Sequence, residues 1–337
     1  MSKIYEALRQ AELDRAKSSV AGAEADKPSD GQSAPEPAQI PAYSGGLRTL
    51  TTVSPISRAT ADKTPVMPIG DLKISATEVA NTTLETATID LAHVPQIDWT
   101  PSIHQLPALD ERGSSVEQFR SLRSRMQEFR DLNALKSLLV SSGLPQEGKS
   151  FIAVNLAISF ARHKAGRVLL IDGDMRRATL HKLLGCPQGP GLTEYLSGDA
   201  SITEIMQRPS PGDDDHPLPP GLASLTFIPA GTEHDKAADL SGNRRFERLI
   251  VAAAPHFDWI VVDSSPVNLV SDGVNLARAC DAVLLVARGG VTKFESAQRA
   301  LGELKASKVL GFVLNAVKNP PIAGGYYGYD GYDKIEE

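Results

Sequence analysis

The segment GLPQEGKS, residues 143–150, matches the pattern G-x-x-x-x-G-K-[ST], and no other stretch of the chain limits its fold as strongly. Glycine at positions 143 and 148 lets backbone N–H groups curl around an anion, where a Cβ would obstruct them. Lys149 offers a mobile positive charge to the β- and γ-phosphates of a nucleotide, and Ser150 offers a hydroxyl to Mg²⁺. The flanks agree with this reading. LKSLLVSS (135–142) reads as a buried strand, and SFIAVNLAISFARH (150–163) as a helix with a broad apolar face. Strand, loop and helix in that order aim a helix N-terminus, with its partial positive charge, at the phosphates.

The rest of residues 108–320 repeats the alternation. Apolar runs at 166–174, 222–231, 257–266, 281–289 and 309–317 read as strands. Helical patterns lie between them, at 114–133, 175–185, 191–198, 243–255, 272–280 and 292–307. Near-continuous apolar strands separated by helices predict a mostly parallel sheet with helices on both faces, an α/β fold of the P-loop NTPase class. Residues 208–221 hold prolines and acids and read as a loop. Residues 14–107 are dominated by Ala, Pro, Ser, Thr and Asp without sustained periodicity, which predicts a long disordered linker. Ahead of it, MSKIYEALRQAE has a capping Ser2 and an apolar edge at Ile4, Leu8 and Ala11. So short a helix does not sustain itself, and docking on a partner is its expected use over residues 1–13.

Three acids leave the C-terminal ends of buried strands: Asp172 and Asp174 after LLID, and Asp263 after IVVD. An unpaired buried carboxylate is costly, and Mg²⁺ beside the phosphates would repay that cost; capping of the following helices is the competing use. Arg176 and Arg177 follow directly, placed to pair with phosphate or with the acids. The net charge of −6 and the lack of a basic stripe argue against nucleic acid as a partner. Cys186 and Cys280 are far apart, without metal-ligand spacing, and read as reduced thiols. No apolar run reaches the roughly 18 residues of a membrane span, and no secretory signal is evident. The expected location is the cytoplasm, with any membrane association through a partner.

The phosphate loop, LLIDGDMRR some twenty residues on, and the strand ending in Asp263 together resemble the bacterial tyrosine kinases, the P-loop kinases of capsular and extracellular polysaccharide systems. EQFRSLRS (117–124), GLTEYLSG (191–198), IPAG (228–231), VSDGVNLARACDAVLLVARGGVT (270–292) and GFVLNAV (311–317) extend the resemblance over roughly 110–332. It implies that ATP and Mg²⁺ are the cofactors. The nucleotide-binding candidates are Gly143, Gly148, Lys149, Ser150, Phe151, Arg176 and Asn315. Ser150, Asp174 and Asp263 serve the metal. Asp172 is the base toward a tyrosine hydroxyl, with Lys149 and Asp174 as its catalytic companions. Glu117, Arg120 and Arg123 match the family motif that joins subunits into a ring, although steps of three on a helix also make an ordinary surface pair. The N-terminal segment is similar to that of cytoplasmic members, which implies recruitment to the inner face of the plasma membrane by a separate membrane-anchored polysaccharide co-polymerase as activator. A tyrosine phosphatase is the implied counterpart.

The tail points the same way. GGYYGYDGYDKIEE (324–337) holds Tyr326, Tyr327, Tyr329 and Tyr332, four of the chain's seven tyrosines, among glycines that keep the segment (321–337) flexible. Aromatics outside any core pattern fit a substrate segment for autophosphorylation in trans, and Asp330 and Asp333 disfavour nucleic-acid stacking. Two alternatives stay open. One is an ATP-binding assembly factor that transfers no phosphate. The other is a ParA- or MinD-type partitioning ATPase, whose signature lysine would fall where this chain has Leu144.

Overall fold

The computed structural model describes residues 89–164, 166–212 and 217–317. The helix expected over 1–13, the linker up to residue 88, Asp213–His216 of the acidic loop and the four tail tyrosines lie outside the described residues.

A six-stranded sheet, parallel throughout, forms the centre, in the order β5-β3-β6-β2-β7-β8. Its strands are β2 (Ser137–Ser142), β3 (Val168–Gly173), β5 (Leu225–Ile228), β6 (Trp259–Ser264), β7 (Ala282–Arg288) and β8 (Val309–Asn315). β1 (Gln96–Ile97) and β4 (Arg208–Pro209) form a separate parallel pair. Every residue of β2, β3, β5 and β6 is buried, as the apolar runs require when both faces are covered.

Alternate side chains along each strand feed two cores. Leu138, Val140, Val168 and Leu170 point to a face covered by α1 (Ser114–Asn133) and α2 (Lys149–Arg162), together with α3 (Leu180–Leu184). Leu139, Leu169 and Ile171 point to the opposite face. α4 (Leu192–Ser197), α5 (Ala237–Ser241), α6 (Arg245–Ala253), α7 (Asp272–Ala277) and α8 (Phe294–Glu303) pack there. On the first face the rings of Phe160 and Trp259 stack at 4.2 Å, with the Arg130 guanidinium 5.2 Å from the Trp259 centroid. Such a cation over an aromatic face adds about 0.5–1 kcal/mol where it stays hydrated.

Two sequence expectations are corrected. Residues 89–107 belong to the packed unit, not to a disordered linker ending at 107: Ile89, Val94, Trp99 and Leu106 are buried. This strap is irregular, so no periodicity announces it, and polar contacts hold it to α2. Asn155, fully buried, accepts the Ala108 amide at 3.0 Å and donates to the Gln105 carbonyl at 3.2 Å. The second correction concerns 175–185, where only Leu180–Leu184 is helical. Residues 175–179 turn instead because the acids before them capture their amides, as described next.

Candidate active site

The phosphate loop runs from Gly143 to Gly148 between β2 and α2, at the carboxyl ends of the strands, where ligands of open α/β sheets bind. Gly148 has φ +93°, and a Cβ there would collide with the Asn315 side chain. At Gly143 a Cβ would lie 2.9 Å from Asn268 Nδ2. The loop is braced from the far side of the sheet. Buried Glu147 accepts the Leu144 amide at 2.8 Å and pairs with the Thr292 hydroxyl. Asn315, the last residue of β8, donates to the Glu147 carbonyl at 3.0 Å. Gly143 and Asn315 therefore shape the loop, while Gly148, Lys149, Ser150, Phe151, Arg176 and Arg177 line a cavity of about 450 Å³ beside it. Pro266, Leu269 and Val270 give that cavity an apolar wall.

The three acids converge on Lys149. Its Nζ lies 2.8 Å from Asp174 Oδ2, with both side chains largely buried. Burial alone would lower the Lys149 ammonium, but the charges of Asp263 and Asp174 outweigh it and hold the pKa above its ordinary value. Asp174 also accepts the Ser265 hydroxyl at 2.9 Å and the Arg177 amide at 3.2 Å. Asp172 and Asp263 sit opposite each other on β3 and β6, both fully buried. Burial pushes Asp172 up to about 8, with the Asp263 charge adding to it, and Asp263 up to about 6 against the pull of Lys149 and Ser150.

Their surroundings differ. Asp172 Oδ2 accepts the amides of Thr179 and Leu180 at 3.2 and 3.1 Å, and Oδ1 accepts the Asp174 amide at 3.2 Å. It thus fixes the turn ahead of α3, the capping role that competes with metal binding. Neither oxygen of Asp263 has a well-formed hydrogen bond. A buried carboxylate in that state, beside the Ser150 hydroxyl, fits a hard cation such as Mg²⁺. Among the described residues no three His, Cys, Asp or Glu side chains form a metal cage. That also suits Mg²⁺, which takes one or two protein oxygens together with phosphates and waters.

Arg176 is held from outside the loop. Its Nε donates to Asp272 Oδ2 at 2.5 Å, and Asp272 is fully buried at the start of α7. Asp272 stands within the VSDGVNLA signature, yet nothing in its spacing marks it as the partner of Arg176. Ser265 and Thr292 are likewise unmarked in the sequence, because sheet topology brings them to the loop; Glu147 stands in the loop itself, yet nothing in the motif marks it as a brace. The pair makes an asymmetric prediction. Arg176→Ala strands a buried carboxylate and is expected to cost about 3 kcal/mol, whereas Asp272→Asn leaves an arginine that rehydrates and costs about 1 kcal/mol. Denaturant midpoints of the two variants check the order.

The proposed ring residues lie on α1. Glu117 and Arg120 form an exposed pair at 2.5 Å, and Arg120 also donates to the Glu111 carbonyl at 3.0 Å. Arg123 turns toward α2 and donates to the Ser159 carbonyl at 3.1 Å. Among the described residues no helix is long and apolar enough to cross a membrane.

The parallel sheet, the glycine-bounded loop and the acids at the strand ends define a P-loop nucleotide-binding protein. No family model matches the chain. Among curated proteins it is 32% identical over 226 residues to tyrosine-protein kinase CpsD of Streptococcus agalactiae, covering 65% of this chain and 91% of that protein. It is 32% identical over 207 residues to tyrosine-protein kinase ptk of Acinetobacter johnsonii, covering 60% of this chain but only 26% of that larger protein. Among solved structures, the kinase domain of Escherichia coli tyrosine kinase ETK superposes with a TM-score of 0.58 at 27% identity, over 67% of this chain and 85% of that one. The chain belongs to the bacterial tyrosine kinase family.

Proposed function

We propose that this chain is an ATP-dependent protein-tyrosine kinase that phosphorylates its own C-terminal tyrosines in trans and thereby regulates polysaccharide polymerisation and export. The observation that carries the proposal is the buried carboxylate of Asp263, unpartnered beside Ser150 and within the field of Lys149 at the mouth of a phosphate loop. Loop amides and Lys149 hold the triphosphate, and Arg176 faces it from the position set by Asp272. Ser150 and Asp263 are the oxygens that would hold Mg²⁺, and Asp174, paired with Lys149 here, would be available to it if Lys149 turned to phosphate. The metal supplies neutralisation of the charge on the transferring phosphoryl group.

Asp172 is the proposed acceptor of the phenolic proton. Of its two oxygens, Oδ1 carries one amide donor and Oδ2 two, so Oδ1 is the freer edge. A base works only when deprotonated, and this carboxyl holds its proton up to about pH 8 in the free protein. The kcat/KM for phosphotransfer is therefore expected to rise with pH and level off above about 8. Asp172→Asn should retain ATP binding and lose about 100-fold or more in kcat, within the usual contribution of a general base. A pH-independent kcat/KM between 6 and 9 in the wild type, measured with a peptide carrying the tail sequence, would remove Asp172 from this role.

Glu117, Arg120 and Arg123 are assigned to a ring interface that presents each tail to a neighbour. Each phosphotyrosine adds about −1.5 to −2 charges, so modified tails repel one another and loosen the ring. A membrane co-polymerase is proposed as activator, recruiting the chain to the inner membrane face through residues 1–13, and a tyrosine phosphatase resets the cycle.

A further inference from the structure

The apolar wall of the nucleotide cavity sits on the turn 266–270, between β6 and α7. The Pro266 carbonyl accepts the Leu269 and Val270 amides at 3.2 and 3.4 Å, which closes one helical turn. Its neighbours brace it. Val267 is buried and donates its amide to the Ser142 carbonyl, at the end of β2, at 2.9 Å. Asn268 Nδ2 donates to the Ser296 carbonyl on α8 at 2.9 Å. Just ahead of the turn, Ser265 donates to Asp174. Leu269 stays outside this framework and is 60% exposed, with half-buried Pro266 and Val270 beside it in the cavity lining. A single exposed leucine is ordinary on a protein surface. Three apolar side chains on one braced turn, in a cavity that also holds Lys149, Asp174, Arg176 and Arg177, are not what phosphates or a metal ion require.

Two flat groups meet at a kinase site: the base of the nucleotide and the phenol of the acceptor. The position of the turn favours the phenol. It begins three residues after Asp263 and is linked through Ser265 to Asp174, so it flanks the acids assigned to the transferring phosphoryl group. The base lies at the other end of the triphosphate. Charge is a second mark. Arg177 lines the same cavity and is exposed. Arg176 is committed to Asp272, whereas among the described residues the Arg177 guanidinium has no ion pair. The tail, 324–337, carries four acids against one lysine. Tyr329 and Tyr332 are each followed directly by an aspartate, Asp330 and Asp333, while Tyr326 and Tyr327 are not.

Resting on the tyrosine kinase activity proposed above, we propose that the 266–270 turn and Arg177 form the acceptor seat for the tail of a second copy of this chain. The phenol ring packs on Leu269 and Val270, which takes apolar area out of water. Arg177 pairs with the aspartate that follows the tyrosine, since its planar fork matches a carboxylate. The seat therefore selects Tyr329 and Tyr332 over Tyr326 and Tyr327.

The test uses the full-length chain carrying Tyr326→Ser, Tyr327→Ser, Tyr329→Ser and Tyr332→Ser, so that its own tyrosines do not compete. The chain is saturated with Mg²⁺ and a non-hydrolysable ATP analogue. Fluorescence anisotropy follows a labelled Gly-Gly-Tyr-Asp-Gly amide and its counterpart with Asn in place of Asp. The Asp peptide is expected to bind saturably, about three- to fivefold more tightly than the Asn peptide, as suits a solvated ion pair. Arg177→Gln should erase that preference, because both changes remove the same contact. Leu269→Ser alters an exposed side chain, so the fold is retained. It should weaken both peptides about tenfold and the ATP analogue by less than about threefold. Absent or equal binding of the two peptides by the parent chain would overturn the seat. So would a Leu269→Ser loss that falls on the analogue, which gives the wall to the base, or an Arg177→Gln loss as large for the analogue as for the peptide, which gives Arg177 to the phosphates. Repeating the series with ATP separates the seat from the activity it rests on. Selective peptide binding without phosphate transfer keeps the seat and contradicts the kinase proposal. Transfer to both peptides at one rate, insensitive to Leu269, keeps the kinase and contradicts the seat.

Discussion

Lys149→Met is expected to abolish nucleotide binding and phosphotyrosine formation together, with phosphotransfer falling by more than about 100-fold. The lysine is the sole cation in contact with Asp174 among the described residues, and its charge also offsets Asp172 and Asp263. Its loss therefore acts on the fold as well as on the ligand. Removing one partner of a buried ionic cluster costs about 3–5 kcal/mol when the remaining charges stay ionised. Here the sign depends on pH. Below the pKa values of about 8 for Asp172 and about 6 for Asp263, both carboxyls take up protons, and the missing ammonium is felt mainly through the lost pair with Asp174. Above them the carboxylates face one another without compensation. Thermal melts should therefore show a loss of stability that is smaller at low pH and larger in alkaline buffer. A melting deficit that is constant with pH would mean that Lys149 does not neutralise these acids. Binding of a fluorescent ATP analogue, measured where the variant is fully folded, separates the ligand effect from the folding effect.

Changing Tyr326, Tyr327, Tyr329 and Tyr332 together to phenylalanine gives the second large effect. Most of the autophosphorylation signal is expected to disappear while ATP hydrolysis continues. The hydroxyl is the nucleophile, so the substitution removes the reacting atom and little else. Radiolabel transfer and phosphate release, followed in the same sample, give both numbers. Full labelling of the quadruple variant would place the acceptor tyrosine elsewhere; Tyr195 is buried and its hydroxyl lies 3.3 Å from the Arg245 carbonyl, so it is not a ready substitute.

The central sheet was legible because its strands are apolar at consecutive positions, and a parallel sheet covered on both faces requires that pattern. The phosphate loop was legible because its chemistry is local: glycines, lysine and serine lie within eight residues. Asp172 and Asp263 could be placed at strand ends by the same local reasoning, and the sheet register sets them side by side. What the sequence hid is non-local. Asp272 meets Arg176 across 96 residues, and Thr292 meets Glu147 across 145. No spacing rule connects such positions. The strap over 89–107 was missed for a different reason. It buries Trp99 and Leu106 through irregular turns and single-residue contacts, so its composition resembles a linker while its packing does not. The helix expected from Met175 shortened because Asp172, near the end of the strand that leads into it, takes the Thr179 and Leu180 amides and holds the intervening residues in a turn.

The most direct measurement incubates the full-length chain with Mg²⁺ and ATP, together with the cytoplasmic segment of the proposed membrane activator, and maps modified residues by mass spectrometry. The account predicts phosphate on tyrosines of the 326–332 cluster, absent from Lys149→Met and strongly reduced in Asp172→Asn. ATP turnover by the wild-type chain with no phosphotyrosine on it or on the activator would contradict the account and leave a nucleotide-driven assembly protein in its place.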